Sequence, residues 1–224
     1  MQLTPDLLST TMLWLAWALT LPVVAFALAA SGLGRLAEDR VGLHLLAGSV
    51  VALIMLWTLR AHVGEGPGLH VLGVTTVTLL LGPARAVLAT LAAEIVVGFL
   101  AGTPTAIAAS WLVVGLVPLL VTESIRRLVW RRFPRDPFVF LFGCAFFGSA
   151  LALTASYGLG FALIGGVSEP GGIWTGAIPS LPAFLLMVGF SEGFINGAVV
   201  TMVLVLRPAW LIGYSRDYER PGPA

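Results

Sequence analysis

The stretch Gly66–Pro83, GPGLHVLGVTTVTLLLGP, decides how the rest of the chain is read. It opens on a glycine–proline turn, continues as an uncharged apolar run with His70 in fifth position, and closes on a second glycine–proline break, Gly82-Pro83. Gly66, Pro67 and Gly68 cannot readily continue a helix, so a new one is expected to begin near Leu69. Leu69 to Leu81 is about 13 residues, or about 20 Å, against a hydrocarbon core of about 30 Å. A lone helix of that length does not cross a bilayer. It fits a short span packed among longer neighbours, with one end below the membrane surface. His70 is then expected at the head of a helix, in a recess, with its ring able to bind a ligand.

The composition agrees with a membrane setting. The chain has 224 residues, of which 58% are hydrophobic and only 10% charged, and its mean hydropathy is +0.98. A soluble domain of this size neither needs so much apolar surface nor gets by with so few charges. Seven apolar segments stand out, at about 11–30, 41–60, 69–82, 84–101, 106–128, 138–164 and 178–206. Most are long enough to span, so the expected fold class is an all-α integral membrane bundle of about seven helices, one polytopic domain over 1–224. The first segment does not read as a cleavable signal, because no Lys or Arg precedes it and Asp6 lies where a positive region belongs. A net charge of +1 with no basic–aromatic cluster gives no support to nucleic-acid binding. The single cysteine, Cys144, cannot form a disulfide framework or a cysteine metal cluster within one chain.

Arginine alone sets the expected orientation, since the chain has no lysine. With seven alternating spans, Arg35, Arg40, Arg85, Arg126, Arg127, Arg131, Arg132, Arg135, Arg207, Arg216 and Arg220 fall on one side and only Arg60 on the other. The positive-inside rule then places the N-terminus outside and the C-terminus in the cytoplasm. The outer face so defined carries Asp6, His62, Glu65, His70 and Glu169. Carboxylates and imidazoles gathered there would attract a cation and could ligate one, although loops also need a few polar residues for solvation alone. His44 belongs near the cytoplasmic end of the second span.

Three polar residues lie at membrane depth. Glu94 sits mid-segment in LATLAAEIVVGFL, where a carboxylate is costly and should face the bundle interior, paired or protonated. Glu192 and Asn196 are four apart and share a helix face. Beside them Gly189, Gly193 and Gly197 form a smooth strip along which another helix can approach closely. Two readings stay open for this set: a polar lining for a solute route, or a hydrogen-bonded clamp between helices. Glu123 is expected to pair with Arg126 or Arg127 on its own helix. The tryptophans Trp14, Trp17, Trp57, Trp111, Trp130, Trp174 and Trp210 fall mostly near segment ends and read as interfacial anchors. No GxxxxGK[ST], HExxH or GxSxG motif occurs, so neither ATP hydrolysis nor an intramembrane hydrolase is expected of this chain.

The run GLHVLGVTTVTLLLGPARAVLATLAAEI resembles the CbiM-type permease family, substrate-binding components of cobalt and nickel energy-coupling-factor ABC transporters. The resemblance rests on His70 followed by Leu72-Gly73 and on Leu80-Leu81-Gly82-Pro83, and more weakly on SEGFINGAVVTMVLVLRP in the last span. It implies a seven-helix bundle whose extracellular N-terminus dips into the outer half of the protein. There the terminal amine of Met1, residue 2 and His70 would surround a divalent metal ion carried as substrate. ATP hydrolysis would belong to separate cytoplasmic ATPases working through a transmembrane coupling subunit, with this chain a multi-pass protein of the cell's inner (plasma) membrane.

The chain departs from that pattern at its start. It begins Met1-Gln2-Leu3-Thr4-Pro5-Asp6, whereas the resemblance calls for Met-His-Ile-Pro. Gln2 offers an amide oxygen, a poor ligand for nickel or cobalt beside an imidazole. The terminal amine and His70 are left as nitrogen donors, with His62, Asp6 or Glu65 as possible recruits. Three functions are therefore carried forward. One is a metal permease component with partner ATPases. Another is an accessory membrane subunit docking through its glycine strip. The third is a solitary proton-coupled transporter using Glu94 or Glu192.

Overall fold

A computed structural model describes residues 3–32, 34, 39–60, 69–163 and 181–214. Among these residues the regular elements are all helices. Six are long and apolar enough to cross a membrane: α1 (Thr10–Ser31), α2 (Arg40–Thr58), α4 (Pro83–Leu100), α5 (Pro104–Arg132), α6 (Pro137–Leu163) and α7 (Leu181–Leu206). Between α2 and α4 lies the short α3 (Val74–Leu81). These seven elements coincide with the seven apolar segments. The outermost side chains are what a lipid-facing surface requires, with Trp14, Phe26, Leu186 and Val205 all more than two-thirds exposed.

α3 is the axis of the bundle. Seven of its eight residues are buried, and it packs against α2, α4, α5, α6 and α7. A helix apolar on every face must be enclosed on every side. Its threonines are satisfied without water: Thr75 Oγ1 lies 2.8 Å from Thr122 Oγ1 on α5, and Thr78 Oγ1 donates to Val74 O at 2.8 Å. The helix ends where glycine and proline require. Gly82, at φ +74, returns its N–H to Thr78 O at 2.9 Å, and Pro83 starts α4.

The start of α3 differs from expectation. The sequence points to Leu69, yet the helix begins at Val74 and residues 69–73 run without helical structure. Gly73 is the reason. It caps the helix in the left-handed region at φ +66, which a β-carbon would strain while coming within 3.0 Å of Leu56 Cδ1. α3 is therefore only about 12 Å long, and its N-terminus lies deep within the bundle.

The last two helices meet on the glycine strip. A β-carbon on Gly193 would stand 2.9 Å from Phe146 O of α6, and one on Gly189 would stand 3.1 Å from Thr154 Oγ1 and 3.2 Å from Ala150 O. The contact is thus backbone against backbone, which only glycine permits. Both α5 and α6 contain a π-helical turn, over Leu112–Leu116 and Leu141–Phe147. At the arginine-rich end, Arg85 Nε donates to Ser31 O at 3.1 Å, tying α4 to α1. Glu123 accepts from Arg126 at 2.8 and 2.9 Å and from Arg127 at 2.6 Å, so it pairs with both candidates rather than one.

Candidate metal centre

His70 lies in the non-helical segment that leads into α3, buried at 8% exposure. Three long helices hold the segment. From α6, the Tyr157 hydroxyl accepts the His70 N–H at 3.0 Å and donates to the His70 carbonyl. From α2, Trp57 Nε1 donates to Leu72 O at 2.9 Å, and its ring packs beside the imidazole with centroids 5.6 Å apart. From α7, the Glu192 carboxylate accepts the N–H groups of Leu72 and Gly73, each at 2.8 Å. Non-helical backbone is tolerated at membrane depth only where protein satisfies its polar groups, and these side chains do so.

Glu192 and Asn196 together cap α3 from a different helix. Asn196 Oδ1 accepts the Thr76 N–H at 3.0 Å and the Thr76 hydroxyl at 2.7 Å, while its Nδ2 donates to Glu192 Oε1 at 2.8 Å. An acceptor on the third amide of a helix is the usual work of a local N-cap side chain. Here Gly73 has no side chain, and α7 supplies the cap from 120 residues away.

The His70 ring is oriented by its own backbone, with Nδ1 3.2 Å from Val71 O. A proton on Nδ1 for that contact leaves the lone pair on Nε2, the form a ligating imidazole takes. Arg60 closes the neighbourhood: its Nε donates to Trp57 O at 3.0 Å, and its charge reaches both His70 and Glu94. Glu94, on α4, is 2% exposed, and its Oε1 has no hydrogen-bond partner. The N-terminal segment enters the same end of the bundle. Leu3 is fully buried, its N–H donating to Ser110 Oγ at 3.0 Å and its carbonyl accepting from that hydroxyl at 3.2 Å.

Comparison with known proteins identifies the fold's lineage. The sequence model of the CbiM family, "Cobalt uptake substrate-specific transmembrane region", matches residues 3–210. The chain belongs to the CbiM family. One solved structure, "Crystal Structure of an Truncated Transition metal Transporter", matches with a TM-score of 0.73 at 21% identity, over 92% of this chain and 99% of that one. At that identity the likeness speaks for the fold. No curated protein matches the chain.

As a CbiM-family protein the chain is a membrane component of cobalt uptake, and its other candidate residues are placed as follows. Asp6 is exposed in a short 3-10 turn, Pro5–Leu7. Met1, Gln2, His62, Glu65 and Glu169 lie outside the described residues. His44 is exposed on α2, its Nδ1 facing the Arg40 carbonyl one turn back. Among the described residues no three His, Cys, Asp or Glu side chains converge on one point as a metal cluster. The structure brings the charge of Arg60 within reach of both His70 and Glu94. It assigns Glu192, Asn196 and the three glycines to the α3 and α6 contacts of α7.

Two of the CbiM-family chain's tryptophans do not anchor at an interface. Trp57 and Trp111 are both fully buried, the second donating to Thr90 Oγ1 at 3.1 Å. Tyr157, which sequence reading passed over, carried one usable signal: a phenol inside an apolar span must find a partner. Nothing in the sequence says that the partner is the backbone of His70.

Proposed function

We propose that this CbiM-family chain is the permease component that captures a divalent metal ion, cobalt- or nickel-like, on the outer side of the inner (plasma) membrane. His70 is its principal ligand, with the terminal amine of Met1 and the Gln2 side chain as further candidate donors. In this reading the N-terminus is outside and the C-terminus cytoplasmic, following the arginine asymmetry. The chain delivers its cargo as part of an energy-coupling-factor type ABC transporter. A transmembrane coupling subunit and cytoplasmic ATPases, rather than this chain, supply the ATP hydrolysis.

The observation that carries the reading is the effort spent on one histidine. Trp57, Tyr157 and Glu192, from three helices, all fix a five-residue segment whose side chain of interest is His70. Holding backbone irregular at that depth forgoes helix hydrogen bonds, and such segments in membrane proteins typically line a substrate site. The transition-metal transporter that shares the fold lends support of the same kind. Elemental analysis of purified protein, wild type beside His70→Ala, tests the reading. Stoichiometric cobalt or nickel in the wild type and none in the variant is expected; equal content in both contradicts it.

The accessory-subunit reading has one specific observation in its favour. Gln2 stands where the resemblance calls for an imidazole, and the described residues hold no three-donor cluster. A proton-coupled transporter using Glu192 fares worse, since that carboxylate is committed to two backbone amides and Asn196.

A further inference from the structure

At the arginine-rich end the helices leave a gap. α1 packs against α4 and against the first turns of α5, Ile107–Trp111. Beyond them a cleft of about 470 Å³ opens between α1, the Gly82-Pro83 turn and the later turns of α5. Its lining changes character in one direction. On α1 the apolar Phe26 stands about 8 Å before Ser31, and on α5 Leu120 stands about 10 Å before Arg127. Arg85, in the first turn of α4, joins the polar end, its Nε donating to Ser31 O at 3.1 Å. Phe26 and Leu120 are both more than half exposed, on the surface that faces lipid.

The polar end carries surplus positive charge. Glu123 is the one acid among the lining residues, and it accepts from Arg126 through both oxygens as well as from Arg127. Three arginines, Arg85, Arg126 and Arg127, thus face a single carboxylate. Arg85 and Arg127 are both held through Nε, and the terminal nitrogens of each guanidinium can donate to an anion. A small anion would use only this end of the cleft, and a neutral lipid only the apolar walls. A ligand that uses both is anionic at one end and a hydrocarbon chain at the other.

From this gradient we propose that the cleft binds an anionic phospholipid of the surrounding leaflet, its phosphate on Arg85 and Arg127 and an acyl chain between Phe26 and Leu120. Guanidinium groups suit a phosphate because their paired N–H donors match its oxygens. Basic pockets between spanning helices take headgroups of this kind. The acyl chain stays in an apolar setting throughout, so its entry costs little. Seated there, the lipid bridges α1 and α4 to α5 where the helices themselves part, and its binding stabilises the folded bundle. This inference is independent of the metal-capture reading above.

The test adds phosphatidylglycerol, or phosphatidylcholine with the same acyl chains, to the full-length chain in neutral detergent. Native mass spectrometry reads the affinity, and melting reads the stabilisation. Wild type is expected to bind phosphatidylglycerol about tenfold more tightly than phosphatidylcholine and to melt higher with it. Arg85→Gln/Arg127→Gln should remove that preference. Arg132→Gln/Arg207→Gln loses the same charge from exposed positions outside the cleft, and should keep the preference. Equal binding of the two lipids by wild type overturns the proposal. So does an equal loss in the two double variants, which marks a diffuse charge effect. Inorganic phosphate at the same concentration should not displace the lipid; if it does, the cleft is a site for free anions and the lipid assignment falls. If the cleft variant does not fold, Arg127→Gln alone decides, since Glu123 keeps Arg126: an unchanged preference there overturns the proposal.

Discussion

Three glutamates lie buried among the described residues, and the contrast between two of them, Glu192 and Glu94, shows how the donors that reach a buried carboxylate decide what it does. Glu192 on α7 accepts two backbone N–H groups and the Asn196 amide, all at 2.8 Å. Glu94 on α4 is equally buried, yet its Oε1 accepts nothing. The first replaces a missing N-cap and lets α3 begin halfway through the bundle. The second leaves Oε1 without a donor and lies within reach of the charge of Arg60. Two identical side chains at similar burial thus take different parts, and the difference lies in the hydrogen-bond donors that reach them.

The largest expected effect comes from removing the saturated one. Glu192→Ala leaves the N–H groups of Leu72 and Gly73 unpaired in a water-free interior, at about 1–3 kcal/mol each. The variant is expected to lose about 3–5 kcal/mol of stability, read as a large drop in detergent melting temperature. Glu192→Gln keeps an acceptor and should lose about half as much. If Glu192→Ala melts like wild type, the interhelical cap is not what holds α3.

Next comes the surface that presents Glu192. Gly193→Leu must push Phe146 O away from 2.9 Å, which displaces α6 from α7. Overpacking of this kind costs about 1–3 kcal/mol, whereas Val205→Leu, at a 74% exposed position on the same helix, should be neutral. Equal melting of the two variants would remove the glycine strip as a contact surface.

Tyr157→Phe is expected to cost less, about 1–2 kcal/mol, because one hydroxyl serves both the N–H and the carbonyl of His70. It should weaken metal binding more than so small a loss of stability suggests, since the ring it helps to hold is the proposed ligand. Unchanged affinity would show that the His70 backbone needs no such brace.

The smallest expected change in stability belongs to Glu94→Gln, within about 1 kcal/mol of wild type, because its Oε1 has no hydrogen-bond donor to lose. A loss comparable to that of Glu192→Ala would erase the contrast between the two carboxylates.

Much of this arrangement is legible before any coordinates. Apolar length places the seven elements, and Gly82-Pro83 marks the turn between α3 and α4 to the residue. The four-residue spacing of Glu192 and Asn196 with their glycines picks out α7 as a contact helix. What escapes is everything settled by partners far apart in the chain. The donors on Glu192 come from residues 119 and 120 positions away, and Tyr157 reaches His70 across 87. Local periodicity carries no information about such pairs. The same limit explains the late start of α3. Leu69 to Leu72 read as helix by composition, but a left-handed glycine cap and a carboxylate from α7 hold them otherwise. Trp57 and Trp111 misled for a related reason, since a tryptophan near a segment end reads as an anchor unless a buried acceptor is known.

The central claim is that a divalent cation is captured at His70, and titration calorimetry with cobalt, nickel, copper and zinc tests it most directly. Three full-length proteins suffice: wild type, His70→Gln and Gln2→His. Glutamine is polar and uncharged but has no ring nitrogen, so His70→Gln should fold, insert and bind none of the four ions. Wild type should bind at least one, and Gln2→His, with a second imidazole restored, should bind it more tightly. If wild type binds none and Gln2→His creates no site, the metal role is wrong for this chain and the accessory-subunit reading takes its place.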